Sequence, residues 1–441
     1  MLALSWFSYT HYYTWIVNQQ DTNVTMKVVL SSGLGRLHFF TSACALARRG
    51  VEVRLIGGWI PRRTETFFIK VLSYIIGYDL RPGFRRRQIN EKNVETVGLW
   101  WVDFLDRLFI IVFKDILPFL NIDPLWGWKL FGWRSSKYFK GYSILHVRSG
   151  AGHGRAIKYA RRLGLPIIVD HSIAHPAFMD KYVKSEYGRE GVPFDLGMDS
   201  RFWRMVVEDC EMADILLVNS DFVKETFVEE GFPVEKIRVV YLGVPEMFFG
   251  VKKYGDHTAA HGVRLLFTGA FGFRKGGEYI LQAAKILIDK GFHHFRIDFV
   301  GSTSQGIRII EKFSGEHLPV HFHGPMSQEN MLEFIRKADV YVFPSLAEGC
   351  AKSGMEAMAA GLCVVATRES GLPIENGVTG CLVPSKDAVA LAEKIEWLAN
   401  NPNQIEKMGT AAAKLIKADY NEIDYAAKLL NVYEEALKGS T

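Results

Sequence analysis

Short apolar runs alternate with helix-spaced stripes along most of the chain. Val28-Val29-Leu30 lies in a strand pattern over 26–31, followed by the turn-prone Ser31-Ser32-Gly33-Leu34-Gly35. Over 36–49, Phe39, Phe40, Ala43, Cys44 and Leu46 recur near the helical period, and 51–56 returns to a strand pattern, so the segment predicts a βαβ unit. Further strands are predicted at 143–147, 166–169, 215–218 and 237–241, each adjoining a helical pattern, as in a doubly wound parallel sheet. The pattern then restarts at 263–267, 295–300, 320–322, 340–343 and 364–366. Between these halves, Pro245, Gly250 and Gly255 punctuate a stretch without periodicity. The expected fold is α/β, with two Rossmann-like doubly wound domains. The N-terminal domain spans 26–245, a linker 246–261 and the C-terminal domain 262–420, leaving a C-terminal helix at 421–441 to cross back to the N-domain.

Residues 1–20 carry no formal charge, but polar side chains interrupt them too often for a spanning helix, and a basic flank and cleavage site are missing. Residues 1–25 are expected to be an appendage. Composition narrows the class: 48% hydrophobic and 23% charged residues among 441 are ordinary globular usage and argue against a disordered or coiled-coil chain. Five cysteines without C-x-x-C spacing suggest neither a disulfide framework nor a cysteine zinc site, which fits a reducing, cytoplasmic setting.

The net charge of +5 is too small over this length to imply nucleic acid, and no such partner is expected. It is concentrated, however. Residues 61–87 hold seven basic side chains (Arg62, Arg63, Lys70, Arg81, Arg85, Arg86, Arg87) against Glu65 and Asp79, with an apolar stripe of Phe67, Phe68, Val71, Leu72, Ile75 and Ile76. Half of the ten tryptophans follow at Trp100, Trp101, Trp126, Trp128 and Trp133. Two readings stand side by side: peripheral docking on an anionic membrane surface, or a cover over the N-domain core.

In parallel sheets ligands bind beyond the carboxyl ends of the strands, where helix N-termini offer free N–H groups. Two loops of the second half fit that position. One runs from Gly269 to Gly277 and carries Arg274 and Lys275, fixed cations suited to a diphosphate; the alternative is a flexible loop with a solvated basic pair. The other, 344–361, places Glu348 and Glu356 eight positions apart across small residues. Carboxylates can hold vicinal hydroxyls, and the N–H groups between them can hold a phosphate. A capping box of Ser353 and Glu356 would explain the second acid equally well.

The 344–361 run resembles the E-x7-E signature of retaining GT-B glycosyltransferases of family 4. The resemblance extends to the opening strand and glycine loop at 26–35, to Val169-Asp170-His171-Ser172, and to 210–249. It implies a GT-B fold whose domains face a cleft, and a retaining, nucleotide-sugar-dependent hexosyl transfer to a glycan or lipid-linked acceptor in cell-surface glycan or glycolipid synthesis. The donor is a substrate; no further cofactor is implied, and no D-x-D triplet implies a metal held by that motif.

Carried over by position, Glu356 would grip the donor ribose and Glu348 the transferred sugar. Lys275 would meet the diphosphate, with Arg274 standing in for the arginine many members have where this chain has Ala270. Gly269, Gly349 and the N–H groups of Cys350 and Ala351 would border the sugar phosphate, with Gly33 approaching from the N-domain. His171 would lie across the cleft near the sugar or, alternatively, in the core; His175 is left undecided. Cys350-Ala351-Lys352 departs from the family's usual phenylalanine-glycine.

Two other classes fit the sequence less well. A nicotinamide oxidoreductase built on Gly33-x-Gly35 fails because position 38 is His and no acid ends the second strand near Ile56. A catalytically silent binder of the same fold is disfavoured by the presence of Glu348, Glu356 and Lys275 together.

Overall fold

Strands buried on both faces tolerate apolar residues at every position, and seven of them assemble around Val28-Val29-Leu30. The computed structural model describes residues 26–35, 38–61, 70, 73, 74, 88, 89, 91–109, 125–254 and 262–439. The first sheet comprises β1 (Lys27–Ser31), β2 (Glu52–Gly57), β3 (Val94–Gly98), β4 (Ile144–Arg148), β5 (Ile167–His171), β6 (Ile215–Val218) and β7 (Ile237–Val239), in the order β3-β2-β1-β4-β5-β6-β7. The second comprises β8 (Val263–Thr268), β9 (Phe295–Val300), β10 (Val320–Phe322), β11 (Val340–Phe343), β12 (Cys363–Ala366) and β13 (Cys381–Leu382), in the order β10-β9-β8-β11-β12-β13. All these pairings are parallel.

In both sheets the chain winds outward from a central strand and then returns to that strand's other side. The reversal falls between β1 and β4 in the first sheet and between β8 and β11 in the second. Helices diverge there, so each domain has one crevice at the carboxyl ends of its central strands, where ligands of such sheets bind.

The anticipated α/β architecture of two doubly wound domains is the one observed. Helix Phe39–Ala47 is shorter than the 36–49 pattern, and β7 stops at Val239 rather than 241. The edge strands β3 and β13 carried no clear sequence signal. β3 reads Val-Glu-Thr-Val-Gly at the rim, with no continuous apolar run, and β13 has two residues.

The C-terminal helix Glu422–Lys438 returns to the N-domain. Asn421 caps it, its side chain accepting from the N–H groups of Ile423 and Asp424 at 2.9 Å each. Tyr425, Leu429 and Tyr433 pack into one core with Phe39, Phe40, Leu46, Val53 and Leu55. Burying each such large apolar side chain contributes about 1.5–3 kcal/mol, enough to hold the two domains' ends together. Away from that helix, buried Glu186 of helix Lys184–Arg189 accepts from Tyr279 Oη at 2.7 Å and pairs with Lys386 at 3.1 Å, both in the C-domain.

Most of the basic stretch at 61–87 lies outside the described residues. The tryptophans beyond it divide. Trp100 and Trp133 are exposed, together with Phe104, Leu105 and Leu108 of helix Trp100–Phe109, whereas Trp101 and Trp128 are partly buried against the core. Among the described residues no helix is long and apolar enough to cross a membrane.

Candidate functional site

The C-domain crevice is shaped by two loops that brace each other. After β8 the chain turns at Gly269, whose φ of +126° suits glycine; a Cβ there would come within 2.8 Å of Lys275 Nζ. The Arg274 carbonyl accepts from Leu346 N (2.8 Å) and Ser345 Oγ (3.0 Å), binding the first loop to the one after β11. Arg274 Nη1 donates to the Ala347 carbonyl at 2.7 Å and lies 2.9 Å from Glu348 Oε1. Lys275 Nζ lies 3.7 Å from the same oxygen and 5.3 Å from the centre of the Phe343 ring. Burial lowers the lysine's pKa, while Glu348 opposes the shift. Three residues expected at the site thus converge, although Glu348 and Arg274 are 74 positions apart.

Helix Lys352–Ala360 begins at this crevice, and its N-cap is Ala351 rather than Ser353. The Ser353 hydroxyl turns sideways instead, 2.7 Å from Tyr341 Oη and donating to the Thr268 carbonyl at 3.2 Å. The capping-box explanation of Glu356 therefore fails. Glu356 is 5% exposed, and burial pushes its carboxyl up to about 7 against the opposing pull of Lys352, 3.8 Å away. Nothing in the helix start requires this buried acid.

The Ala351 N–H, expected to face a phosphate, donates instead to the Ser370 carbonyl at 3.0 Å. That correction has a steric reason: the 368–370 turn closes over the loop, and Glu348 N likewise donates to the Glu369 carbonyl at 2.9 Å. The Cys350 N–H has no such partner among the described residues.

The two domains meet at Gly349. A Cβ there would collide with the Ser172 carbonyl, and Ser220 Oγ donates to the Gly349 carbonyl. Beside this contact opens a cleft of about 650 Å³, lined from the N-domain by His38, Ser172 and Asn219 and from the C-domain by Cys350 and Lys352.

His171 is not on that wall. It is 1% exposed, its Nδ1 lies 2.9 Å from Ser149 Oγ, and its ring stands edge-on to Phe227. Burial, with His175 adding to it, lowers its pKa to about 3, so the ring is neutral at physiological pH. His175 sits at the start of the helix Pro176–Tyr182, its Nδ1 accepting from Ala177 N at 3.2 Å.

The cleft histidine is His38. Its Nε2 lies 2.7 Å from Asp170 Oδ2, which is 3.2 Å from His146 Nε2; His146 Nδ1 in turn lies 2.7 Å from Tyr433 Oη. Ser172 donates to the other Asp170 oxygen at 3.0 Å. Burial alone would raise the Asp170 pKa, but the two imidazoles outweigh it and hold the carboxyl well below the usual range. Sequence reasoning missed His38 and Asp170 as a pair; the available signal was an acid at the carboxyl end of a predicted strand.

Gly33 lies in the N-domain crevice at φ +70°, with Trp128 so close that a Cβ would come within 2.7 Å of it. Gly33 is therefore packed under an aromatic ring as well as bordering the cleft side of β1.

Comparison with known proteins agrees with this geometry. Residues 37–246 match the family model described as Glycosyltransferase Family 4, and residues 262–401 match that described as Glycosyl transferases group 1. The chain is 29% identical over 259 residues to a D-inositol 3-phosphate glycosyltransferase of Streptomyces coelicolor, covering 53% of this chain and 56% of that protein. It is 30% identical over 220 residues to the amylovoran biosynthesis glycosyltransferase AmsK of Erwinia amylovora, covering 47% and 53%. The match thus spans about half the length of these curated relatives. Among solved structures, sucrose-phosphate synthase from Thermosynechococcus elongatus superposes with a TM-score of 0.66 at 18% identity, covering 94% of this chain and all of that one. A glycosyltransferase from Rickettsia africae gives 0.63 at 15% identity, with the same coverages. With two facing parallel-sheet domains, each matched by its own family model, the chain belongs to the GT-B glycosyltransferases of family 4 type.

Proposed function

We propose that the protein transfers a hexosyl group, with retention of configuration, from a nucleotide-sugar donor to a glycan or lipid-linked acceptor. The observation that carries this reading is the convergence of Arg274, Lys275 and Glu348 at the C-domain crevice, with buried Glu356 one turn into the helix that follows.

In this reading Glu356 accepts hydrogen bonds from the donor ribose, and its desolvated carboxyl gains most when a diol replaces missing water. Lys275 and Arg274 meet the diphosphate. Negative charge grows on that group as the sugar leaves, so fixed cations stabilise the transition state more than the ground state. Glu348 exchanges its contact with the cations for one with the sugar. The Cys350 N–H, beside Gly349, borders the sugar-phosphate end. The acceptor enters from the N-domain side, past His38 and Ser172, and attacks the face the diphosphate leaves.

One fold neighbour, HepE of Anabaena, was solved both with UDP and with UDP-glucose, which makes uridine nucleotides the first to test. Calorimetry with UDP, GDP and ADP, followed by product analysis with the matching sugar donors, tests the reading. Binding of none of these nucleotides would remove it.

The exposed apolar face of Trp100, Phe104, Leu108 and Trp133 supports an acceptor presented at an anionic membrane. Flotation with anionic and neutral vesicles checks this part separately: absence of association favours a water-soluble glycan.

A further inference from the structure

The crevice of the N-domain, between the carboxyl ends of β1 and β4, contains a cation with no acidic partner among the described residues. Arg148 is the last residue of β4, and its Nη1 lies where a Cβ on Gly35 would come within 2.5 Å. Its guanidinium lies 5.4 Å from the centre of the Trp128 ring. Among the described residues it makes no hydrogen bond or ion pair, although a guanidinium carries five N–H donors. Asp170, its partner in the strand register, is occupied by His38, His146 and Ser172.

Arg148 is half-buried at the rim of the sheet, where its nitrogens reach solvent and a ligand could reach them; partial burial brings its pKa down to about 10 although Asp170 pulls it upward. The Trp128 ring offers no hydrogen-bond acceptor in exchange. The backbone N–H groups of Gly33 and Leu34, in the turn after β1, also have no acceptor among the described residues.

We propose that Arg148 and the 33–35 turn form an anion subsite on the acceptor side of the cleft, which takes a phosphate ester carried by the acceptor. A planar fork of donors beside successive backbone N–H groups matches a tetrahedral oxyanion, and Trp128 keeps the fork oriented. The inference rests on the transferase reading for the word acceptor, while the subsite rests on the N-domain alone.

The test uses the full chain with its donor pocket filled by saturating UDP, titrated with glycerol 3-phosphate and with glycerol by calorimetry. Glycerol 3-phosphate is expected to bind and glycerol not. Arg148→Gln should weaken binding at least tenfold and Arg148→Lys less. Gly35→Ala should weaken it with every charge retained, because its Cβ displaces the guanidinium. Vesicles of phosphatidic acid or phosphatidylcholine locate the source of the phosphate. Loss of phosphatidic acid flotation in Arg148→Gln marks a lipid phosphate, whereas loss confined to glycerol 3-phosphate marks a soluble one. Unchanged affinity in folded Arg148→Gln, or no binding by wild type, overturns the proposal. If UDP itself fails to bind, the transferase reading falls; the same titration in Lys275→Ala protein, whose donor-loop charge is reduced, still decides the fate of Arg148.

Discussion

The two sheets reverse their winding in the same way, yet the cations at the two crevices are treated differently. In the C-domain, Arg274 and Lys275 share one carboxylate, Glu348, at 2.9 and 3.7 Å. In the N-domain, Arg148 has an aromatic ring and no carboxylate within ion-pair distance among the described residues. Two cations sharing one internal acid have part of their charge offset and must exchange partners when a ligand arrives. One held only by a ring keeps its full charge for the ligand. The first arrangement suits a site where charge builds during reaction; the second suits recognition of a charge already present.

The largest effect should come from removing the lysine. Lys275→Ala is expected to lower kcat about 100-fold or more, as loss of a single charge-stabilising donor does in acyl transfer, with a much smaller change in donor affinity. Single-turnover rates at saturating donor measure this, and equal rates in both proteins would refute the role.

Glu356→Gln separates binding from stability. Donor affinity should fall by about 1.5–3 kcal/mol, the usual worth of a charged hydrogen bond, as read by calorimetry. Stability should move the other way. A carboxyl raised from 4.5 to about 7 favours the folded state at low pH, and that contribution is lost as the pH rises through 7. The melting temperature of the ligand-free variant, relative to wild type, should therefore rise between pH 5 and pH 8. A flat difference across that range would show that the acid is not desolvated in solution.

Glu348→Gln should make the C-domain crevice behave more like its counterpart. Two cations lose their internal partner, so UDP without sugar is expected to bind several-fold tighter while turnover falls. Weaker UDP binding would show that Glu348 mainly positions Arg274 and Lys275 for the ligand.

A smaller effect is expected from Ser353→Ala, which removes the hydroxyl that bridges Tyr341 Oη and the Thr268 carbonyl and leaves only their direct 3.3 Å contact beneath the loop after β8. A loss of about 1 kcal/mol in denaturant unfolding, with kcat little changed, fits a bracing role.

Much of the scaffold was legible because its strands are interior. Ile167-Ile168-Val169, Ile215-Leu216-Leu217-Val218 and Val340-Tyr341-Val342-Phe343 are apolar at every position, and such short runs between helical stripes have few other uses. The loops after β8 and β11 were legible as a pair because glycines, cations and acids crowd into few residues. Pairings distant in sequence were not legible. Nothing in the neighbourhood of His38 announces Asp170, 132 positions away, or distinguishes it from His171, which the fold encloses.

The order of residues thus determined the parallel architecture, the two-domain division and the chemistry crowded into the loops after β8 and β11, since each depends on local spacing and burial pattern. Tertiary structure decided which polar groups are exposed, paired or left without a partner. It turned Ser353 away from the helix cap and gave the Ala351 N–H to Ser370. It put His38 rather than His171 on the cleft wall, and among the described residues it left Arg148 without a carboxylate. Those outcomes depend on desolvation and on distances between segments far apart in the chain, which no local pattern encodes.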